Sequence, residues 1–334
     1  MPPDFVRLIC LKIHRMKRCL LFLLLATSPA CLFSQSLKRS AVAAPVGFDY
    51  QPNEVKILSW NVEHFIDQND NPYINNGRED SGDRMEGKEA LLMKAIKAVD
   101  ADVVVLQEFE SVQYLARLVR EHLPDMGYRF FADAESYSWY MNVVVMSKVP
   151  LGTIYSYGAL YTAVPGILTD EGVEETQINI NTRMLSIDVF PNADYEFTLT
   201  GVHLKAGRGE RNEQMRLGQI NFLKTQFARF IKEDKKANLV MVGDFNCMPD
   251  SKEFQALMEG KKRLQFVDPL AGTEVYSHPS REPARRIDHI IANRNMMKEL
   301  VPGSLKIEDV LSREEMIKLS DHMPVVAVFK AGDQ

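Results

Sequence analysis

Leu239-Val240-Met241-Val242-Gly243-Asp244-Phe245-Asn246 is the stretch on which the fold turns. Four apolar residues run into a glycine, a carboxylate and then an amide, so a buried strand delivers polar groups at its end. The same ending recurs along the chain. Ile57-Leu58-Ser59-Trp60-Asn61-Val62-Glu63, Val103-Val104-Val105-Leu106-Gln107-Glu108 and Leu199-Thr200-Gly201-Val202-His203-Leu204-Lys205 are apolar runs that finish in Asn, Glu or His. Near the C-terminus, Arg286-Ile287-Asp288-His289 and Ser320-Asp321-His322-Met323-Pro324 place two acid–histidine pairs beside apolar runs.

Working outward, short β-rich runs span Val55 to Trp60, Val103 to Leu106, Val143 to Met146, Met184 to Val189, Phe197 to Val202, Leu239 to Val242, Ile287 to Ala292 and Pro324 to Phe329. Between them, Leu92, Ile96 and Val99, and then Ile220, Leu223, Phe227 and Phe230, recur at the three- and four-residue steps of a helix face. A third helix is expected from Asp250, with Glu253 as its capping-box partner. Many strands with a few helices of this length point to an α/β fold, a four-layer α/β/β/α sandwich of two packed mixed β-sheets. Residues 55–331 are read as one domain, since neither a repeat nor a linker composition interrupts them. Gln68 to Gly87, rich in Asn, Asp and Gly, reads as a long loop after the first strand.

The N-terminus is of another kind. A basic stretch ends at Met16-Lys17-Arg18, an apolar run follows from Cys19 to Ala26, and small residues lie around Ser28 to Ala30, the three parts of a secretory signal. Residues 1–34 are therefore expected to be a signal peptide and 35–54 a tail, with the mature protein periplasmic or extracellular. A lipid on Cys31 is the one route to a membrane anchor. With Cys10, Cys19 and Cys31 in or beside the signal, only Cys247 remains, which excludes a disulfide framework and a Cys-based zinc site. Residues 1–34 hold five bases and one acid, so the remainder carries 35 bases against 44 acids, a net of −9. That balance leans against tight capture of duplex nucleic acid.

If the polar strand ends meet at one rim, they form a pocket of oxygen ligands with imidazoles. Glu108, Asn61 and Asp321 are residue types that Mg²⁺ takes. Asp244 and His322 suit activation of a water, His203 and Asn246 suit stabilisation of a phosphoryl transition state, and Asp288 suits orienting His322. Taken singly, Asn61 and Asn246 are ordinary turn formers and His203 an ordinary structural histidine. Lys205 with Arg208 and Arg211 reads first as a solvated loop, and second as a phosphate-facing basic patch. His289 is expected to point to the opposite side of its strand from Asp288. Trp60, Tyr137, Trp139 and Tyr140 could stack bases, but such aromatics more often pack a core.

Together, in this order, the segments around Asn61, Glu108, His203, Asp244, Asp288 and His322 resemble the endonuclease/exonuclease/phosphatase superfamily, over essentially the whole mature domain. The resemblance implies a hydrolase of P–O bonds with Mg²⁺ or Mn²⁺. Glu108 becomes the principal metal ligand, with Asn61, Asp321 and, as in some relatives, Glu63. Asp244 and Asn246 activate the water and hold the phosphate, His322 with Asp288 forms the acid–base pair, and His203 hydrogen-bonds phosphate or protonates the leaving group. Arg183 and Asn61 contact substrate. The expected partner is a phosphate-ester substrate, nucleic acid first, with no obligate protein partner. A small-molecule or lipid-headgroup phosphate is the alternative substrate, and a catalytically inactive binding protein the alternative of another class.

Overall fold

Alternation builds the sandwich from the first strand. Along β1 (Glu54–Phe65), Val55 and Ile57 face one way while Leu58 and Trp60 face the other, and all four are buried. A strand buried on both faces needs a layer on each side. The computed structural model of the chain describes residues 48–67, 82–134, 141–157, 160–179, 183–260 and 262–334. The signal-like segment, most of the tail, the loop positions 68–81 and the aromatics Tyr137, Trp139 and Tyr140 lie outside them.

The strands in chain order are β1, β2 (Val103–Phe109), β3 (Phe130–Ala132), β4 (Asn142–Ser147), β5 (Leu151–Ser156), β6 (Leu160–Leu168), β7 (Glu174–Asn179), β8 (Met184–Val189), β9 (Phe197–His203), β10 (Leu239–Asp244), β11 (Phe266–Val267), β12 (Asp288–Asn293), β13 (Lys306–Ile307) and β14 (Val325–Lys330). One sheet has the order β13-β14-β1-β2-β4-β3, the other β11-β12-β10-β9-β8-β5, and β6-β7 is a separate hairpin. Each six-stranded sheet is mixed, because β1 runs parallel to β2 and β9 parallel to β10 while their other pairs are antiparallel.

Three apolar layers follow. Ile57, Val105 and Val145 of the first sheet meet Ile187, Leu199 and Val242 of the second in the central core. Gly201 keeps that contact close, since a Cβ there would meet Val143 Cγ1 at 2.7 Å. On the outer face of the first sheet, Leu58, Val104 and Val144 pack under α1 (Gly82–Val99), α2 (Val112–His122) and α5 (Arg313–Leu319). On the outer face of the second, Val202, Met241 and Ile291 pack under α3 (Glu210–Glu233) and α4 (Lys252–Met258). This is the expected α/β/β/α order.

Two local expectations need correction, and a third reading holds. Helix α4 starts after Ser251, whose hydroxyl accepts from Phe254 N, and Glu253 does not close a capping box because its buried carboxylate binds the Arg216 guanidinium at 2.8 Å. Gly82 to Gly87, read as loop from their glycines, already form the first turns of α1, where Met85 is buried in the core. Trp60 is a core residue: its indole Nε1 donates to the His322 carbonyl at 2.9 Å.

Candidate active site

Strand direction gathers the polar ends. The parallel pairs β1–β2 and β9–β10 end on the same side, carrying Asn61, Glu108, His203 and Asp244 at their C-terminal ends. Strands β12 and β14 run antiparallel to β10 and β1, so their N-terminal ends reach the same rim, with Asp288 opposite Asp244 and His322 just before β14. Gly243 makes the close passage possible. It has φ +138°, and a Cβ there would lie 1.9 Å from the Val202 carbonyl oxygen.

Backbone strain concentrates at the rim. Glu63, His64, Glu108 and Asn246 all have φ between 48° and 57°, a region that side-chain-bearing residues seldom occupy. These turns point side chains inward. They also aim the His64 N–H at Glu108 Oε2 (3.0 Å) and the Asn246 N–H at Asp244 Oδ1 (2.8 Å).

Asn61 joins the two sheets chemically. Its Nδ2 donates to Glu108 Oε1 at 3.2 Å and to Asp244 Oδ2 at 3.1 Å, while its Oδ1 accepts from Glu63 N. Asn246 Nδ2 also reaches Asp244 Oδ2 at 3.1 Å, so amide donors flank that carboxylate. Two imidazoles face it, with His203 Nε2 and His322 Nε2 each 3.8 Å from Asp244 Oδ2. His322 Nδ1 is fixed by Asp288 at 2.9 and 3.0 Å, and Asp288 in turn accepts from the Ser277 hydroxyl at 2.6 Å.

Electrostatics separates these groups. Burial pushes the Asp244 carboxyl up to about 7, with neighbouring Asp288 adding to the effect. Burial works to lower His322, but Asp288 and then Asp244 carry it up to about 10. His203 goes the other way, lowered by burial to about 4 against the pull of Glu108. Burial would raise Glu108, yet His203, His64 and the Asn61 amide hold it below the ordinary carboxylate value. At neutral pH the pocket therefore holds an ionised Glu108, a charged His322, a neutral His203 and a carboxylate of near-neutral basicity at Asp244.

The predicted residues arrive in one central group and one flanking pair. Asn61, Glu108, His203, Asp244, Asn246, Asp288 and His322 form the centre. Glu63 and Asp321 pair beside it, with Glu63 Oε2 accepting from Asp321 N at 3.0 Å. Burial lowers the pKa of Arg183 against the pull of Glu108 and Asp244, placing its guanidinium in the field of the site. His289 faces away, packed on Phe245 and Phe254, with Nε2 3.2 Å from the Cys247 carbonyl.

Several contributors escaped the sequence reading. Ser320 Oγ donates to the Asn61 carbonyl and accepts from His322 N, tying β1 to the loop before β14. His278 Nε2 lies 3.2 Å from Asp321 Oδ2, and its Nδ1 is 2.7 Å from Arg285 Nη2. A serine hydroxyl 259 residues from the Asn61 carbonyl and a histidine 43 residues from Asp321 carry no periodic signal, although Tyr276-Ser277-His278-Pro279 upstream of Asp288 is the cue that was available.

The donor set fits a hard divalent cation. Glu108, Glu63 and Asp321 offer carboxylate oxygens, and Asn61 an amide oxygen, with no thiolate nearby to favour a softer metal. Among the described residues, the groups of His, Cys and acidic ligating atoms that lie within 4.8 Å of one another are His278, Asp321 and His322, and Asp244, Asp288 and His322, neither of which contains Glu108 or Glu63. In both, the imidazole is engaged by a carboxylate neighbour, which makes them hydrogen-bonded acid–base networks first.

Comparison with known proteins agrees with the geometry. The model of the Endonuclease/Exonuclease/phosphatase family matches residues 58–322. No curated protein matches the chain. Among solved structures, the human Nocturnin catalytic domain with bound sulfate anion is similar at 17% identity and TM-score 0.57, over 84% of this chain and 95% of that one. TDP2 of D. rerio, complexed with single-strand DNA product, is similar at 16% identity and TM-score 0.56, over 84% and 100%. The 3' phosphatase NExo from Neisseria, bound to product DNA hairpin, is similar at 18% identity and TM-score 0.52, over 83% and 99%. At such identities the likeness is one of fold.

Proposed function

Because the chain belongs to the Endonuclease/Exonuclease/phosphatase family, a family of phosphate-ester hydrolases, we propose that it is a divalent-metal-dependent phosphodiesterase of the nuclease type. The observation that carries this is the bridge of Asn61 between Glu108 and Asp244, with two imidazoles against the same Asp244 oxygen. A P–O hydrolysis needs a cation at the phosphate, a base for water and a donor for the leaving oxygen. The rim offers one residue for each.

Glu108, with Asn61, Glu63 and Asp321, would hold Mg²⁺ or Mn²⁺, which when bound neutralises charge on the phosphate oxygens. Asp244, raised to about 7 by burial, is a base strong enough to take a proton from water. Asn246 and Asn61 aim and hold its oxygens. His322, charged and held by Asp288, donates toward the oxygen that leaves. Neutral His203, with Nε2 turned to the two carboxylates, suits a hydrogen bond to phosphate better than proton donation. Arg183 adds positive charge on the substrate side.

Secretion belongs to the same proposal, supported by the basic, apolar and small-residue order of the first 30 residues. Cell fractionation with and without that segment tests it, and retention of the full chain in the cytoplasm would refute it.

The deciding assay pairs the protein with Glu108→Ala in Mg²⁺, Mn²⁺ or EDTA, against duplex DNA, single strands, nucleotides, inositol phosphates and phospholipid headgroups. Metal-dependent cleavage of polynucleotide, reduced at least about a hundredfold in the variant, is the expected result. Cleavage of small esters alone would move the protein to the phosphatase branch. Silence on every substrate would leave an inactive binding protein.

A further inference from the structure

Beside Asn246 the rim opens into a cleft of about 790 Å³ whose lining shares only Asn246 with the hydrolytic residues. Arg208 from the loop before α3, Lys252 from the start of α4 and Arg285 from the strap before β12 line it. Among the described residues, no carboxylate lies within ion-pair distance of any of the three. The cleft's one buried cation behaves differently, since Arg216 is 4% exposed and bound to Glu253 at 2.8 Å, with the Lys205 and Gly207 carbonyls accepting from its Nη1. With that pair internally neutral, three unpaired cations stand against Glu213 and Asp250, the acids that also line the walls. Lys205 nearby has its pKa lowered, first by burial and then by Arg183, Arg216 and Arg211, as expected where positive charge predominates.

The cleft meets the reaction centre at two points. Asn246 lines it and also holds Asp244. Arg285 lines it and donates to His278 Nδ1, which leaves the His278 proton on Nε2, facing Asp321. An anion drawn into this cleft would lie next to the scissile phosphate and share a guanidinium with the site.

We propose that this cleft is a subsite for a second anionic group of the substrate, a phosphate one linkage from the scissile one, gripped by Arg208, Lys252 and Arg285. The proposal rests on the hydrolase reading and narrows it: the preferred substrate carries at least two phosphates. Guanidinium and ammonium groups left without a carboxylate partner are suited to such a charge-assisted grip.

The test uses d(TpT) and its 5′- and 3′-phosphorylated forms with the protein and with Arg208→Glu/Lys252→Glu, two exposed positions whose reversal is expected to leave the melting temperature unchanged. One phosphorylated dinucleotide is expected to be cleaved with kcat/KM about tenfold above d(TpT), mainly through KM, and the variant to abolish that preference while cleaving d(TpT) as before. Equal turnover of all three by the protein, or a preference that survives charge reversal, overturns the subsite and leaves the hydrolase standing. Calorimetric binding of the same compounds to Glu108→Ala separates the other case. Tight, charge-reversible binding of the phosphorylated form without any turnover supports the subsite and sinks the hydrolase, whereas no turnover and no such binding overturns both.

Discussion

Asp288 touches His322 directly and also adds to the basicity of Asp244, and that makes its removal informative. Asp288→Asn preserves shape but removes the charge that lifts His322 to about 10, so the imidazole loses its proton at lower pH and its Nδ1 loses a fixed partner. A fall in kcat of about 10²- to 10⁴-fold is expected, with little change in melting temperature. Steady-state kinetics beside thermal unfolding checks it, and an unchanged kcat would remove His322 from the chemistry. His289, on the other face of β12, makes a complementary case. Burial, then Arg286, lowers it to about 4, below the 6.5 of an unfolded histidine. A base so depressed disfavours its charged form in the fold, so the stability it permits is intact above pH 6.5 and is lost as pH falls toward 4. The loss from this residue amounts to about 3 kcal/mol. Replacing it by Phe among Phe245 and Phe254 should flatten the acid side of a melting-temperature profile by a corresponding amount. An identical acid slope in His289→Phe would place the titration elsewhere.

Elements follow the same logic at larger scale. Helices α3 and α4 are fastened by Arg216 and Glu253, both less than 5% exposed, and removing one partner leaves a buried charge. Arg216→Met is expected to cost about 3–5 kcal/mol in chemical denaturation, and Arg216→Met/Glu253→Leu to recover most of it. If the double variant were no more stable than the single one, the stabilisation would lie in the Lys205 and Gly207 carbonyl contacts instead. The eight apolar runs singled out in the sequence are all strands, because burial on both faces leaves an unbroken β-rich signature. Strands β5, β6 and β7 escaped for the opposite reason: Ile154, Tyr161, Leu168 and Val173 are exposed in or beside them, and their composition is mixed. Helices α2 and α5 are short. Among the described residues a capping box forms at Ser312 with Glu315, at the start of α5, and not at Asp250 with Glu253 as expected for α4.

At the scale of the whole molecule, the site was legible because chemistry and topology coincide: polar residues end apolar strands, and the mixed sheets bring those ends to one rim. What the sequence does not carry is the wiring between them. The Asn61 bridge, the Ser277–Asp288 and Ser320–Asn61 contacts and the Arg285–His278–Asp321 chain join residues of different sheets or loops, and hydrogen bonds across such separations leave no spacing to read. The convergence also has a cost for the fold. Glu63, Glu108, Asp244, Asp288 and Asp321 meet within a few side chains of one another, and only His322 among the central imidazoles is charged at neutral pH. A cation bound among them stabilises the folded protein by mass action, so Mg²⁺ is expected to add about 2.7 kcal/mol at a hundredfold excess over its dissociation constant. Thermal unfolding across a Mg²⁺ titration should show that rise, and Glu108→Ala should abolish it while melting below the parent in EDTA, since the fold holds the Glu108 charge with the Asn61 amide and the His64 N–H. A melting temperature indifferent to Mg²⁺ in both proteins would mean that the amides and His322 already balance the carboxylates, and that the rim is built to hold phosphate without a resident cation.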